Sequence, residues 1–168
     1  MREESPSLAN WKTIGFFIIA ALVVSADQLS KIWIRTHLLT GQVSFNAGFF
    51  QIVYVRNTGA AFGLFPNQSL LLSYISVIGV AVILFCALFL PRHLPFLGAL
   101  PGRAALGLVL GGTVGNLIDR LYLGYVTDFI NFGFWPAFNV ADSAVTVGAL
   151  WLVYSLLSET LAERKKHG

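Results

Sequence analysis

Four long apolar runs dominate the sequence. Leu70–Leu90 holds 21 consecutive residues without a charge, Ala104–Ile118 holds 15 and Ser143–Ser158 holds 16. A fourth run begins at Thr13, is interrupted by a single acid and continues to Ile34. A membrane-spanning helix needs about 20 mainly apolar residues, and polar residues are tolerated near the interfaces. The runs therefore predict one integral membrane domain over residues 1–168, an all-α polytopic fold. The four helices are expected at about residues 13–34, 70–90, 102–120 and 141–160.

The composition agrees with a membrane protein and excludes two other classes. Hydrophobic residues make up 56% of the chain and charged residues only 11%, whereas a soluble domain carries roughly 25% charged residues. A disordered chain needs low hydrophobicity and high net charge, which this chain lacks. The net charge of +3 comes from basic residues placed between the apolar runs, where orientation in a membrane explains them. We therefore expect no nucleic-acid partner.

The first run has an alternative interpretation as a secretory signal peptide. Arg2 and Lys12 precede an apolar stretch that ends in Val24-Ser25-Ala26, which resembles a small-residue cleavage site. The apolar character continues past that point to Ile34, which a signal peptide does not require. A first membrane helix is therefore favoured.

The distribution of basic residues predicts the orientation. Four spans place both termini on one side of the membrane. If that side is the cytoplasm, seven Lys and Arg residues flank the helices inside: Arg2, Lys12, Arg92, Arg103, Arg164, Lys165 and Lys166. The outer segments then hold four: Lys31, Arg35, Arg56 and Arg120. Because cytoplasmic loops are enriched in Lys and Arg, this bias predicts cytoplasmic termini.

Two outer segments carry the sequence that is not helical. Residues 35–69 are rich in β-branched and aromatic residues with glycine breaks, which predicts a small extracytoplasmic β-rich segment of two or three short strands. Residues 121–141 contain seven Tyr, Phe and Trp residues. Aromatic residues are enriched at membrane interfaces, so we expect this second segment to lie on the lipid headgroups.

The eight acidic residues fall into two groups of four. Glu3, Glu4, Glu159 and Glu163 lie near the chain ends, where water can solvate them. The other four acids are Asp27, Asp119, Asp128 and Asp142. In the four-helix arrangement, different segments bring these four to one depth near the outer boundary. Ionisable groups at membrane depth are costly and point to a functional site.

Two of the membrane acids have simple structural explanations. Asp27 and Lys31 are four residues apart on a helix, so an ion pair accounts for both. Asp119 is followed by Arg120, and a structural role, as a local charge pair or at the helix end, fits it as well as a substrate role.

Asp128 and Asp142 are harder to explain as structural acids. Asp142 is expected to open the last helix and could be only an N-cap, while Asp128 is expected in the preceding loop. Neither has a basic residue within seven positions. Two carboxylates held close together cannot both ionise, so one keeps a proton while the other acts as a base. The pair is therefore a candidate for an aspartyl hydrolase.

Other chemistries are less consistent with the sequence. His37, His93 and His167 lie on different segments and Cys86 lies within a span, so we expect no metal site. A transporter or channel subunit could use the aspartates as an ion or proton site, but it would spread acids across the membrane depth. A structural assembly subunit would have its acids neutralised by neighbours. Small residues in Gly111–Gly115 predict close helix–helix contact instead of phosphate binding.

Five motifs, read in order, resemble those of bacterial lipoprotein signal peptidases, also called signal peptidase II. They are Asp27-x-x-x-Lys31, Asn57-Thr-Gly-Ala-Ala-Phe-Gly63, Gly111-Gly-Thr-Val-Gly-Asn-Leu-Ile-Asp-Arg120, Val126-Thr-Asp-Phe-Ile130 and Phe138-Asn-Val-Ala-Asp142. The resemblance covers all four predicted helices and both outer segments. It implies an aspartyl endopeptidase of the bacterial inner membrane whose active site lies near the outer face. Such an enzyme removes signal peptides from prolipoproteins, cutting just before a cysteine that already carries a diacylglyceryl group.

The resemblance also assigns roles to individual residues. The catalytic pair of the family falls on Asp128 and Asp142. The expected substrate-binding residues are Asn57, Gly59, Asn116, Arg120, Asn139 and Ala141. The supporting polar residues are Asp27, Lys31 and Asp119. No metal or organic cofactor is implied, the remaining partners are membrane lipids, and inhibition by globomycin-type cyclic peptides is expected.

Overall fold

The computed structural model describes the backbone of residues 6–59 and 65–167 and the side chains of residues 11–59 and 65–161. Glu3, Glu4 and the last four residues of the Asn57–Gly63 motif lie outside the described residues. The elements follow in the order α1 (Pro6–His37), β1 (Val43–Asn46), β2 (Gln51–Asn57), α2 (Ser69–Phe89), α3 (Pro95–Gly98), α4 (Leu100–Leu123), β3 (Val126–Asn131) and α5 (Val140–His167). A short 3₁₀ helix, Leu90–Arg92, separates α2 from α3.

The four expected membrane helices are confirmed. In the described part of the chain, α1, α2, α4 and α5 are long and apolar enough to cross a membrane. Their outward faces carry exposed large apolar side chains, which a bilayer can cover. Helices α1 and α5 extend beyond the predicted spans because their polar ends remain helical after the apolar run has finished.

Helix α4 is the centre of the bundle, and its glycines allow the neighbouring helices to approach closely. A Cβ atom on Gly107 or Gly111 would lie 2.8 Å or 2.7 Å from a backbone oxygen of α1. A Cβ atom on Gly112 would collide with the carbonyl of Ala141 in α5. The predicted role of the small residues in close helix packing is therefore confirmed.

A three-stranded antiparallel sheet covers one end of the bundle, which we call the sheet end. The strand order is β1-β2-β3. Strands β1 and β2 come from the segment 35–69, as predicted. Ile34 of α1 and Leu38, just after the helix, pack against Tyr54 and Phe129, which anchors the sheet to the bundle.

The third strand corrects the sequence interpretation. Residues 121–141 were expected to form an aromatic surface, with Asp128 in a loop, but β3 places Asp128 inside the sheet opposite Val55. The first four residues of β3 are all buried because both faces of the strand are covered. Only part of the aromatic segment is an exposed surface, since Phe134 is 85% exposed whereas Phe129 is buried.

Helix α4 turns directly into β3, which fixes the distance between the Asn116–Arg120 turn and Asp128. Gly124 ends the helix with a φ of +77°, and its N–H donates to the carbonyl of Arg120. A left-handed residue at this position is a common helix ending and is usually glycine. The strand starts two residues later, at Val126.

The close contact between α4 and α5 gives a stability prediction. We expect Gly112→Ala to lower the free energy of unfolding by about 1–3 kcal/mol, because the added methyl group must push Ala141 and the start of α5 away. The measurement is titration of the purified protein with a denaturing detergent. Gly15→Ala is the matched control, since a Cβ atom there meets nothing within 4 Å. An equal free energy of unfolding for the two variants would contradict the tight α4–α5 contact.

Candidate active site

A cavity of about 980 Å³ opens near the sheet end, and polar side chains of five segments reach it. Its walls are the end of β2 with Thr58 and Gly59 after it, Pro66, Ser76 of α2, helices α4 and α5, strand β3 and the loop 135–138. Two carboxylates line it, those of Asp128 and Asp142. Two basic residues, Arg56 and Arg120, also line it.

Asp128 is held between two amide groups. Its side chain is only 2% exposed, so its oxygens need partners within the protein. One oxygen accepts a hydrogen bond from Nδ2 of Asn139 at 2.8 Å, and the other accepts one from Nδ2 of Asn57 at 3.0 Å. The N–H of Gly59 donates to the Asn57 Oδ1 at 2.9 Å, which turns the Asn57 Nδ2 towards Asp128.

Asp142 lies in the first turn of α5 and forms a reciprocal cap with Asn139. The Asp142 N–H donates to the Asn139 side-chain oxygen at 2.9 Å, and the Asn139 N–H donates to the Asp142 carboxylate at 3.2 Å. This is the hydrogen-bond pattern of a capping box, in which two free N–H groups of a helix start are satisfied. The cap residue is therefore Asn139, and the other Asp142 oxygen accepts a bond from Nδ2 of Asn116 at 2.7 Å.

Asn139 connects the two carboxylates. Its side-chain nitrogen bonds Asp128 while its backbone N–H bonds Asp142. The sequence-predicted pair, 14 positions apart in the chain, is thus brought to one side of the cavity by a single residue.

The protonation of Asp128 is shifted by this environment. Burial, together with the smaller effect of the nearby Asp142 charge, raises the pKa of the Asp128 carboxyl to about 7. The hydrogen bonds from Asn57 and Asn139 act in the opposite direction, because they stabilise the charged form. Asp128 therefore holds its proton at a pH where an exposed aspartate has lost it.

A buried ammonium group supports this arrangement from behind. Lys31 is completely buried, and its Nζ lies 2.8 Å from Asp27 and 3.5 Å from Asp119. The same Nζ donates to the Asn116 Oδ1 at 2.9 Å. Because the Asn116 oxygen faces Lys31, its nitrogen faces Asp142.

Asp27 also holds the start of α5. Its second carboxylate oxygen accepts a hydrogen bond from the backbone N–H of Ala141 at 3.0 Å. Ala141 is fully buried, and its methyl group would lie 3.4 Å from a Cβ on Gly115. A larger residue at either position would separate the helices that carry the site.

Asp119 fixes the position of β3. Its carboxylate accepts a bond from the backbone N–H of Thr127 at 2.9 Å, one residue before Asp128. Arg35 donates to Asp119 at 3.2 Å and to the Thr127 hydroxyl at 3.0 Å. The Asp119 carboxylate thus contacts α1 and β3. A pairing with the adjacent Arg120 was one of the possibilities that the sequence allowed.

The predicted substrate-binding residues divide into two groups. The cavity is lined by Asn57, Gly59, Asn116 and Arg120. Asn139 and Ala141 are fully buried and lie behind the cavity wall. The amide nitrogens of the three asparagines all contact Asp128 or Asp142, so their observed contacts orient the carboxylates.

Sequence reasoning missed two supporting residues, Arg35 and Gln28. Arg35 continues the four-residue spacing of Asp27 and Lys31 along α1, and that spacing could have found it. Gln28 donates to the carbonyl of Gly115 at 3.0 Å and to Asp27 at 3.2 Å. No sequence pattern marks Gln28, because its partner lies on another helix.

Comparisons with known proteins identify the family. The family described as signal peptidase (SPase) II matches residues 19–158. A lipoprotein signal peptidase of Dehalococcoides mccartyi is 52% identical over 145 residues, covering 86% of this chain and 90% of that protein. A lipoprotein signal peptidase of Moorella thermoacetica is 42% identical over 143 residues, covering 84% and 92%.

Solved structures agree with these relatives. A bacterial membrane enzyme determined by the in meso method at 2.3 Å is similar with a TM-score of 0.77 and 30% identity, covering 87% of this chain and 89% of that one. The fold is that of a bacterial membrane enzyme, and the matching family is a peptidase family. The chain belongs to the signal peptidase II family.

These findings also decide between the alternatives left open by the sequence. A transporter or channel subunit is not favoured, because the family is a peptidase family. The first apolar run is helix α1, and its Asp27 and Lys31 contact residues of α4 and α5. The first run is therefore a structural part of the site.

The buried Lys31 generates a second prediction. Lys31→Met should lower the free energy of unfolding by about 3–5 kcal/mol, because the carboxylates of Asp27 and Asp119 lose their buried partner. Detergent titration measures the change, and Arg92→Met is the control because Arg92 is exposed. A stability equal to that of the wild type would show that the ammonium does not hold the acids.

Proposed function

We propose that this protein removes signal peptides from prolipoproteins, cutting just before a diacylglyceryl-modified cysteine, by an aspartyl mechanism. The observation that carries the proposal is the pair Asp128 and Asp142, bonded to one asparagine beside a large cavity among membrane helices. The lipoprotein signal peptidases similar to this chain supply the substrate class. The experiment is a gel-shift assay on a diacylglyceryl prolipoprotein, with and without globomycin.

The two carboxylates divide the work because they differ in protonation. Asp128 carries the shared proton, since burial raises its pKa to about 7. Asp142 then acts as the base that takes a proton from the attacking water, while Asp128 hydrogen-bonds the scissile carbonyl. The water oxygen bonds to the carbonyl carbon, and Asp142 then gives the proton that it took to the leaving amine nitrogen as the C–N bond breaks.

Arg120 is the group that stabilises the substrate. It lines the cavity and is half-buried, and the charges of Asp142 and Asp128 act on its guanidinium. A guanidinium offers five N–H donors and accepts no hydrogen bond, so it suits a peptide carbonyl or a developing oxyanion. Asn57, Asn116 and Asn139 keep the two carboxylates oriented towards that bond.

The cavity suits a lipid-modified peptide. Its wall includes Val55, Val126, Val145 and Val147 beside the polar groups, so an apolar chain can lie next to the reacting bond. Burial of apolar surface contributes about 25 cal/mol per Å², which favours a diacylglyceryl substrate over an unmodified one. Globomycin-type cyclic peptides would compete for this cavity. Neither a cofactor nor a nucleic acid takes part.

The location follows from the same proposal. A substrate whose signal helix lies in the bilayer meets the site at its natural depth if the sheet end faces outwards. Both termini then lie in the cytoplasm and the active site near the outer face of the bacterial inner membrane, in agreement with the basic residues of the inner flanks.

The catalytic pair can be tested by nearly isosteric changes. Asp128→Asn and Asp142→Asn should each lower kcat by about 10²–10⁴-fold, because each removes a proton-transfer group. The double variant should be scarcely worse than either single variant, since the two groups act as a unit. Cleavage is measured by gel shift, and globomycin binding shows that the site is folded.

Asp27→Asn is the control, because it removes a supporting carboxylate and no proton-transfer group. We expect it to retain partial activity. A folded Asp128→Asn or Asp142→Asn protein that cleaves at the wild-type rate would refute the aspartyl mechanism.

The pH dependence follows from the raised pKa of Asp128. Cleavage that needs a proton on Asp128 is lost as the pH rises through about 7, giving the alkaline limb of a bell-shaped profile. Asn57 lowers this pKa, so Asn57→Ala should move the alkaline limb to higher pH. Asn131→Ala is the control, because its amide contacts Gln51 elsewhere in the sheet. A shift of the alkaline limb to lower pH in Asn57→Ala would contradict the assignment of this limb to Asp128.

The orientation is tested by reporter fusions. Fusions after Gly168 and near Pro95 should report the cytoplasm, and fusions near Gln42 and Gly133 should report the outside. The charge bias of the flanks is the physical reason. An external reporter signal at Gly168 would reverse the orientation and place the site at the inner face.

A further inference from the structure

Arg56 is a fixed cation at the cavity that the proposed mechanism does not use. It follows Val55 in β2 and lines the cavity, yet its side chain is exposed. Its Nε donates to the Tyr54 hydroxyl at 3.2 Å, and its guanidinium carbon lies 5.0 Å from the centre of the Tyr125 ring. The Tyr54 and Tyr125 hydroxyls are 3.0 Å apart. The side chain is thus oriented by its neighbours although water surrounds it.

Arg56 differs from Lys31 and Arg35 in having no acidic partner among the described side chains. Lys31 and Arg35 form ion pairs with Asp27 and Asp119. Among the side chains of residues 11–59 and 65–161, no carboxylate pairs with Arg56, and Tyr54 is its hydrogen-bond partner. Its two Nη groups therefore remain available to a ligand, and a guanidinium fork fits a carboxylate in a bidentate manner.

The position of Arg56 indicates which part of a substrate it meets. The next residue, Asn57, bonds Asp128, so Arg56 lies close to the point of cleavage. Arg56 belongs to the sheet and not to a membrane helix. In the proposed function the signal peptide is an apolar membrane segment, so it lies among the helices. The chain that passes Arg56 is therefore the mature segment. An extended chain advances about 3.3 Å per residue, so only the first few residues after the cysteine come within reach.

We propose that Arg56 binds an acidic side chain within the first four residues that follow the lipidated cysteine of the substrate. This inference rests on the proposed function. Arg56 thereby gives the enzyme a preference for substrates with an acidic residue on the mature side of the cleavage site. Asp128, Asp142 and the apolar wall of the cavity act on every substrate. Because the ion pair between Arg56 and the substrate is exposed to water, its effect on the cleavage rate is modest and depends on salt.

The test uses two matched diacylglyceryl prolipoproteins that differ only in glutamate or glutamine at the third residue after the cysteine. The measured quantity is the ratio of their kcat/KM values in the same mixed micelles. For the wild type we expect a ratio of about two to five in favour of glutamate, the range that an exposed charge pair gives. The ratio should fall towards one in 0.5 M salt or in Arg56→Gln, and Arg56→Lys should retain part of it.

The matched control is Arg92→Gln, which removes an exposed cation in the 3₁₀ helix after α2 and should leave the ratio unchanged. A wild-type ratio of one, or a loss in Arg56→Gln that is equal for both substrates, overturns the proposal. A loss that follows the phosphatidylglycerol content of the micelles instead of the substrate charge also overturns it, because Arg56 would then bind a lipid headgroup. If wild-type enzyme cleaves neither substrate, the proposed function itself fails.

Discussion

The site depends on the ion pairs that the ammonium group of Lys31 forms with Asp27 and Asp119. The ammonium group is completely buried, and an isolated charge there would be very costly. Asp27 and Asp119 neutralise it, and each of these acids also holds another element. Asp27 accepts from the N–H of Ala141 at the start of α5 with its second oxygen, and Asp119 accepts from the N–H of Thr127 in β3 with the same oxygen that faces Lys31. One buried charge thus aligns α1, α4, α5 and the sheet.

The same network determines how the carboxylates are presented. Lys31 orients the amide of Asn116 so that its nitrogen reaches Asp142, and Asn139 bonds both acids of the pair. Asp128 is buried beside the charge of Asp142, which raises its pKa into the neutral range. Burial therefore has two consequences here, since it makes the supporting ion pairs necessary and raises the pKa of one carboxyl group.

Much of the fold could be predicted because its signals are local. The apolar runs specify four helices by length and composition, and the glycines of α4 indicate close packing. The strand β3 was not predicted because its evidence is not local: Val126–Asn131 becomes a strand by pairing with β2, some 70 residues earlier. Arg35 could have been placed on the face of Lys31 by spacing, whereas the contact of Gln28 with α4 depends on how two helices pack.

The sequence by itself determined the class of protein, the four helices and the candidate catalytic residues, because hydrophobic run length and motif spacing are properties of the chain alone. Only the tertiary structure decided how those residues are used. It placed Asp128 in a strand, gave the helix cap to Asn139, and turned the asparagine nitrogens towards the carboxylates. Among the described side chains, it also left Arg56 beside the cavity without an acidic partner. Hydrogen-bond direction and burial arise between elements that are distant in the chain, so only the packed structure sets them.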